Sequence, residues 1–206
     1  MTTIAFPTLT LAAPPSFRMR LISNTQADQS PLNKSVQTYE LPGACWGVTL
    51  PWSALSEADA SLLQGFLAQL RGRANRFTLG NLARPVPRGT IALSSVLVNG
   101  AVTQGATTVA IDGCGAGATL KIGDMFAVGG ELKMVVSANV TANGSGEMAT
   151  VTFEPPVRAV AGWANNAAVT TSNPQATFML TGDTSEWETS APQITDIAID
   201  AIESFA

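Results

Sequence analysis

Residues 52–80 read WSALSEADASLLQGFLAQLRGRANRFTLG, a pattern that predicts a capped amphipathic helix followed by a strand. Ser56 precedes Asp59 by three residues, the spacing of a helix N-cap, and Leu55 stands where a hydrophobic staple would pack. Large apolar residues recur at helical spacing, at Leu62, Leu63, Phe66, Leu67 and Leu70. Gly72 predicts the end of the helix, and Phe77-Thr-Leu79 the strand after it.

The segments that flank this helix predict β-structure. On its N-terminal side, alternating or extended strands are predicted at Phe17–Leu21, Val36–Leu41 and Trp46–Leu50, with a polar loop over Ser23–Ser35. On its C-terminal side the composition changes at Pro85-Val-Pro-Arg-Gly89, and short apolar runs then recur every ten residues or so. This spacing is typical of a small sandwich or barrel.

The segment 85–174 predicts a second, all-β unit. Its candidate strands are Ile91–Leu97, Thr108–Ile111, Met125–Val128, Leu132–Val136, Ala149–Phe153 and Ala168–Thr171. Turns are predicted at Asn99-Gly100, Gly129-Gly130 and Asn143-Gly144, and the last of these gives the strongest hairpin signal.

The pattern of residues near the end of the chain resembles that of its first part. Ala176-Thr-Phe-Met-Leu180 echoes Phe77-Thr-Leu79, as if a strand pair interrupted at Pro85 resumed after Pro174. We therefore predict one domain inserted in another, a connection that proteins tolerate at loop tips. Residues 1–84 plus 175–206 would form a β-sandwich with one flanking helix, and residues 85–174 an inserted small β-barrel.

Composition narrows the possible functions. The chain has 206 residues, of which 46% are hydrophobic and 13% charged, with a net charge of -4. A protein that binds nucleic acid through its phosphates would carry an excess of Lys and Arg instead. So few charges favour association, and we interpret the chain as a subunit of an assembly. The sequence shows neither a signal-peptide pattern nor a run of about 18 apolar residues, which predicts synthesis in a cytoplasm.

The sequence offers little catalytic chemistry. Histidine is absent, so Ser-His-Asp and Cys-His arrangements cannot form. Asp183, Glu186 and Glu188 around Trp187 could flank a sugar, but a solvated loop is favoured. Four further sites are considered and disfavoured. They are a calcium site at Asp196, Asp200 and Glu203, a phosphate-binding loop at Gly113–Gly117, a sugar-binding platform of Trp46, Trp52, Trp163 and Trp187, and a Cys45–Cys114 disulfide. We predict no enzyme, no cofactor and no metal.

The distribution of charge predicts an interface. Five arginines lie close together, at Arg71, Arg73, Arg76, Arg84 and Arg88, whereas the chain from Asp183 onward holds six acids and no base. These segments could pair within one subunit or between neighbours in a ring, or they could simply be solvated faces. The candidate interface residues are Leu62, Phe66, Arg71, Arg73, Arg76, Trp187, Asp196 and Asp200.

Several short stretches together resemble a known family. They are Leu70–Gly80, Pro87-Arg-Gly89, Ile122–Gly130 with Val135-Val136, Phe153-Glu-Pro-Pro-Val-Arg158 and Ala176–Leu180. In this layout the chain resembles a minor tail protein of long-tailed bacteriophages, of the distal tail protein type. The likeness spans roughly Trp52 to Leu180 and consists of hydrophobic and glycine cues.

The resemblance implies an adaptor in the virion. It implies a hexameric ring at the tail tip that joins the tail tube protein to the hub and to fibre or receptor-binding proteins, with a channel for DNA. The helix Ser56–Leu70 would be a ring-packing element, and the segment Arg71–Leu79 the strand that follows it. Two alternatives stay open: another tail subunit, such as a tube or terminator protein, and a module that binds carbohydrate or a receptor.

Overall fold

The computed structural model describes residues 2–10, 16–192 and 194–205. Within these residues the fold contains one helix and seventeen strands. In chain order they are β1 (Thr3–Ile4), β2 (Arg18–Ile22), β3 (Thr25–Gln29), β4 (Val36–Glu40), β5 (Cys45–Leu55), α1 (Glu57–Leu70), β6 (Arg76–Gly80), β7 (Leu97–Val98), β8 (Thr108–Asp112), β9 (Thr119–Leu120), β10 (Met125–Val128), β11 (Glu131–Val135), β12 (Val140–Thr141), β13 (Met148–Glu154), β14 (Val169–Thr170), β15 (Gln175–Leu180), β16 (Trp187–Ser190) and β17 (Ile194–Glu203).

The first sheet is built from both ends of the chain. Its strand order is β1-β6-β15-β17-β5-β2, and β16 also pairs with β17. The predicted resumption of a strand pair is confirmed, because β6 and β15 are antiparallel neighbours with Phe77 opposite Phe178. Strand β17 alternates strictly between exposed and buried residues along Ile194–Ala201, so one face of the sheet is apolar and the other faces solvent.

Helix α1 covers the apolar face of this sheet. The Ser56 hydroxyl accepts a hydrogen bond from Asp59 N at 3.3 Å, as expected of the N-cap. Leu63, Phe66, Leu67 and Leu70 are buried, in the same cluster as the core residues of the sheet. The helix ends at Leu70, two residues before Gly72, because Arg71 itself adopts the left-handed conformation of the C-cap with φ 50°.

The second sheet is a nearly closed barrel drawn from the segment 97–170. Its strand order is β14-β10-β11-β13-β8-β7, and a bridge between Leu97 and Ala168 brings its two ends together. The predicted fold class, a mainly β protein with a sandwich-like sheet, one helix and a barrel-like sheet, is confirmed.

The hairpin β10–β11 belongs to both cores. Phe126, Val128 and Val135 lie in the core of the barrel. Met125, Ala127 and Leu132 lie in the core of the first sheet. Alternate residues of a strand point to opposite faces, so this hairpin is buried on both of its faces. The second sheet therefore packs directly against the first.

Two local predictions were wrong. Residues 91–96 form no strand, because Ser95 has φ 71° and the backbone bonds to a loop instead, as Ala92 N does to Cys114 O. The predicted loop Ser23–Ser35 contains β3, which pairs with β4 although its residues lack an apolar alternation.

The predicted turn at Asn143-Gly144 is confirmed. Gly146 N donates to Asn143 O at 3.0 Å, and the strands on either side of the turn, β11 and β13, are antiparallel neighbours. The connection between them also contains β12, which was not predicted. The predicted turn at Gly129-Gly130 joins β10 to β11.

Candidate assembly interface

Three strands of the first sheet have a free edge among the described residues. One is β1, which has two residues and pairs only with β6. Strand β2 pairs only with β5, and strand β16 pairs only with β17. Four of the five residues of β2 and all four of β16 are exposed. Unpaired N–H and C=O groups along such edges can bond a further strand.

Strands β2 and β16 run in opposite directions. Each neighbouring pair in the series β16, β17, β5 and β2 is antiparallel, which makes three reversals from the first strand to the last. Rotation of a copy about an axis parallel to the strands leaves their directions unchanged. In two copies related by such a rotation, β2 of one therefore runs antiparallel to β16 of the other. Antiparallel pairing is also the slightly more stable arrangement per residue.

Strands β2 and β16 carry opposite charges on the same face. Arg18 lies opposite Thr49, and Thr49 lies opposite Asp200, so all three belong to the solvent face of the sheet. Glu188 lies opposite Asp196, which is on the same face as Asp200. The solvent face is thus basic at β2 and acidic at β16.

Hydrogen bonds already cross part of this face. The Arg20 guanidinium donates to Thr49 Oγ1 at 2.9 Å, and the Thr49 hydroxyl donates to Asp200 Oδ1 at 2.6 Å. The Asp196 carboxylate accepts from Ala54 N at 2.8 Å, where an extra residue in β5 makes a bulge and Ala54 has φ 57°. Asp196 and Asp200 therefore hold the sheet locally while their side chains remain on its solvent face.

A groove lies beside β17, between β15 and β16. Strand β15 pairs with β17 only from Ala201 onward, Thr181 N donates to Asp200 O, and β16 pairs only up to Ile197, which leaves the same edge of β17 open over 198–199. The groove has a volume of about 900 Å³. Its floor includes Trp52, Leu67 and Leu180, and its carboxylates come from Glu186, Glu188, Asp196 and Asp200. The structure therefore brings together Trp187, Asp196 and Asp200, three of the predicted interface residues.

The helix presents an uncharged face to solvent. Leu62 is 50% exposed, beside the exposed Ala58, Ser61 and Gly65. Phe66, in contrast, is only 4% exposed and packs edge-on against Phe77 with ring centroids 5.4 Å apart. Phe66 is thus a core residue, in agreement with its place in the helical spacing of apolar residues. The prediction that it belongs to the interface does not fit this conformation, because its side chain cannot contact a partner.

The predicted pairing of basic and acidic segments occurs at one point within the subunit. Arg73 Nε lies 3.9 Å from Asp183 Oδ1, and Arg73 N donates to the same oxygen at 3.2 Å. Both side chains are largely exposed, so solvent screens their attraction. Arg76 donates instead to Ser204 Oγ at 2.7 Å, and Arg71 is the exposed C-cap of the helix.

A buried ion pair stands inside the barrel. Lys133 Nζ lies 2.7 Å from Glu131 Oε2, donates to Pro156 O at 2.9 Å and stands over the rings of Phe153 and Trp163. The Glu131 carboxylate also accepts from the N–H groups of Arg158 and Ala159. Burial lowers the pKa of Lys133, and the bond to Glu131 opposes that shift. This pair fixes the loop after β13. No pattern in the sequence predicts that a lysine in β11 would face inward.

The other chemical candidates are dispersed. Trp46, Trp52 and Trp163 are buried, so the four tryptophans form no exposed sugar platform. Burial raises the pKa of the Cys114 thiol to about 11 and also raises that of Cys45, and both cysteines are free. Among the described residues no group of three potential ligands could hold a metal ion. The calcium site considered in the sequence would also need Glu203, which points to the buried face of β17, opposite to Asp196 and Asp200.

One exposed element was not recognised in the sequence. Strands β3 and β4 form a separate two-stranded sheet whose ten residues are all exposed. We name residues 25–40 the ribbon arm. The only signal for it was the extended Val36–Leu41, because its first strand reads as a polar loop.

Comparisons with known proteins identify no relative. No protein-family model matches the chain, and no curated protein matches it either. The helix that the structure describes is too short and too polar to cross a membrane.

Proposed function

We propose that this protein is a structural subunit that closes into a ring at the distal end of a bacteriophage tail. The family resemblance implies six copies in the ring. The observation that carries the proposal is the pair of free edges, β2 and β16, which belong to one sheet, run in opposite directions and carry opposite charge. A ring needs two different surfaces that fit each other.

The contact would extend the sheet from copy to copy. Strand β2 of one subunit would pair with β16 of the next, and Arg18 and Arg20 would stand beside Glu186 and Glu188. Opposite charges across neighbouring strands stabilise such a pair and disfavour a β2–β2 or β16–β16 contact. Repeated from subunit to subunit, this contact gives a closed ring, in which the twist of the sheet sets the angle between neighbouring subunits.

Helix α1 supports the same assembly. Its exposed face has no charged residue between Ala58 and Leu70, because the one acid there, Asp59, is buried. A face with Leu62 and small neighbours suits a contact between subunits, and an interface of standard size, on the order of 800 Å² per partner, would cover it.

The resemblance supplies the place of the ring. It would join the tail tube protein on one side and the tail-tip hub, with fibre or receptor-binding proteins, on the other. Its channel would let DNA pass, and assembly would occur in the host cytoplasm before the ring becomes part of the virion. This function requires no catalytic residue and no cofactor.

The test is the mass of the purified full-length protein, measured by light scattering over a range of concentrations, with negative-stain images. We expect six-fold rings whose population rises with concentration. The double variant Arg18→Glu/Arg20→Glu should remain monomeric. The variant Arg84→Glu/Lys121→Glu has the same change of charge at exposed sites off both edges and should still form rings. A strict monomer at high concentration, or a closed dimer, would overturn the proposal.

A further inference from the structure

We infer that the ribbon arm, residues 25–40, docks on the neighbouring copy in the assembly and does not stand free in solvent. The inference rests on the proposed ring, because it names a second surface through which the same neighbour is held.

The arm pairs with no further strand among the residues that the structure describes. All ten residues of β3 and β4 are exposed, and each of these strands pairs only with the other. A two-stranded ribbon alone is at best marginally stable in water, and it usually requires a third strand or a packing partner. The arm therefore has the structure of an element that is completed by a contact.

Apolar side chains concentrate on the arm and at its base. Leu32, at the tip, is 95% exposed, the highest value among the large hydrophobic residues described. The others in this region are Leu21, Ile22, Val36, Tyr39 and Leu41. Isolated exposed apolar residues are ordinary, but a cluster on one projecting element indicates an interaction surface.

The position of the arm favours a second copy as the occupant. Strand β3 follows β2 after two residues, and β4 precedes β5, so the arm prolongs the β2–β5 pair. The free edges of β2 and β3 then form one edge from Arg18 to Gln29, about 40 Å long at 3.3 Å per residue. Strand β16 of the neighbour has only four residues and covers about a third of that edge. The rest of this edge would then lie beside the body of the same neighbour.

A clean deletion tests the inference. Leu41 N donates to Asn24 O at 2.8 Å, which is the bond that closes a two-residue hairpin. Replacement of residues 25–40 by Asn-Gly should therefore keep the fold and its unfolding temperature. We expect the protein concentration at half-assembly to rise by at least about tenfold. An unchanged concentration at half-assembly, with rings still present, overturns the inference and leaves the ring proposal standing.

A photo-crosslinker at the tip tests the occupant. With benzoylphenylalanine in place of Leu32, irradiation of the assembled protein should give covalent dimers. The same probe in place of Val160, which is 88% exposed on the barrel loop, is the matched control and should give few. Crosslinks from position 32 that stay within one chain, or none, overturn the inference. A protein that never assembles overturns both this inference and the ring proposal.

Discussion

The Glu203 carboxylate accepts a hydrogen bond from Leu132 N at 3.2 Å, and this bond ties the last strand of the first sheet to the barrel. Its other oxygen accepts from Trp46 N at 3.1 Å. One side chain thus satisfies buried N–H groups of both sheets. Because β10–β11 is buried on its two faces, the barrel and the first sheet form a continuous packed unit at this point.

Removal of the Glu203 carboxylate should weaken the junction. In Glu203→Ala both N–H groups lose their acceptor, and we expect a loss of about 1–3 kcal/mol in the free energy of unfolding. Glu203→Gln retains one acceptor oxygen and should lose less. Urea denaturation of the three proteins at neutral pH measures the difference. Equal stability of Glu203→Ala and wild type would show that the bond contributes nothing.

The same residue predicts a pH dependence. Burial raises the pKa of Glu203 in the folded protein, and the hydrogen bonds from Trp46 and Leu132 only partly oppose that shift. A raised folded pKa means that its contribution to stability is complete below the unfolded value, about 4.3, and declines as pH rises through the folded value. Wild type should therefore lose stability relative to Glu203→Gln as the pH rises above about 4, in urea denaturation followed as a function of pH.

The ion pair inside the barrel should be sensitive to the loss of one partner. Lys133→Met leaves the Glu131 carboxylate buried without its cation, which should cost about 3–5 kcal/mol. In Lys133→Met/Glu131→Gln no charge is buried, and the amide oxygen can still accept from one of the two N–H groups in the loop. We expect the double variant to be more stable than the single one, as measured by thermal and urea denaturation. A double variant less stable than Lys133→Met would contradict this account.

Charge reversal at the two edges should produce obligate co-assembly. Arg18→Glu/Arg20→Glu makes both edges of a subunit acidic, and Glu186→Arg/Glu188→Arg makes both basic. Each variant alone should stay monomeric because like charges meet at every contact. An equal mixture restores an acidic edge beside a basic one at each contact, and alternating rings should form. Light scattering measures the mass of the particles in the mixture and in each variant alone. Rings formed by either variant alone would contradict the edge-to-edge contact.

Two glycines of the helix region should respond oppositely to alanine. A Cβ on Gly65 would meet nothing within 4 Å, so Gly65→Ala should stabilise the protein by about 0.5–1 kcal/mol. Gly72 has φ 62°, and its Cβ would stand 2.9 Å from Asp183 Cα. Gly72→Ala should cost about 1–2 kcal/mol from the left-handed conformation alone. Thermal denaturation measures both, and a stabilised Gly72→Ala would contradict the described turn.

Local patterns in the sequence predicted much of the fold. The helix between Ser56 and Leu70 and the turn at Gly129-Gly130 could be recognised, because capping, periodicity and turn chemistry act between near neighbours. The pairing of Phe77–Leu79 with Ala176–Leu180 could be recognised only because the two stretches resemble each other. The predicted interface was recognised in part: Trp187, Asp196 and Asp200 line one groove, whereas Phe66 lies in the core.

The sequence by itself determined the helix and many of the strands, and that the protein is mainly β with little charge. Only the tertiary structure decided that β10–β11 is buried on both faces, that Lys133 points into the barrel and that β2 and β16 each have a free edge in one sheet. The physical reason is the range of the interactions. Capping and alternation depend on residues three or four apart, whereas the neighbours of a strand and the burial of its faces depend on partners that can be more than a hundred residues away.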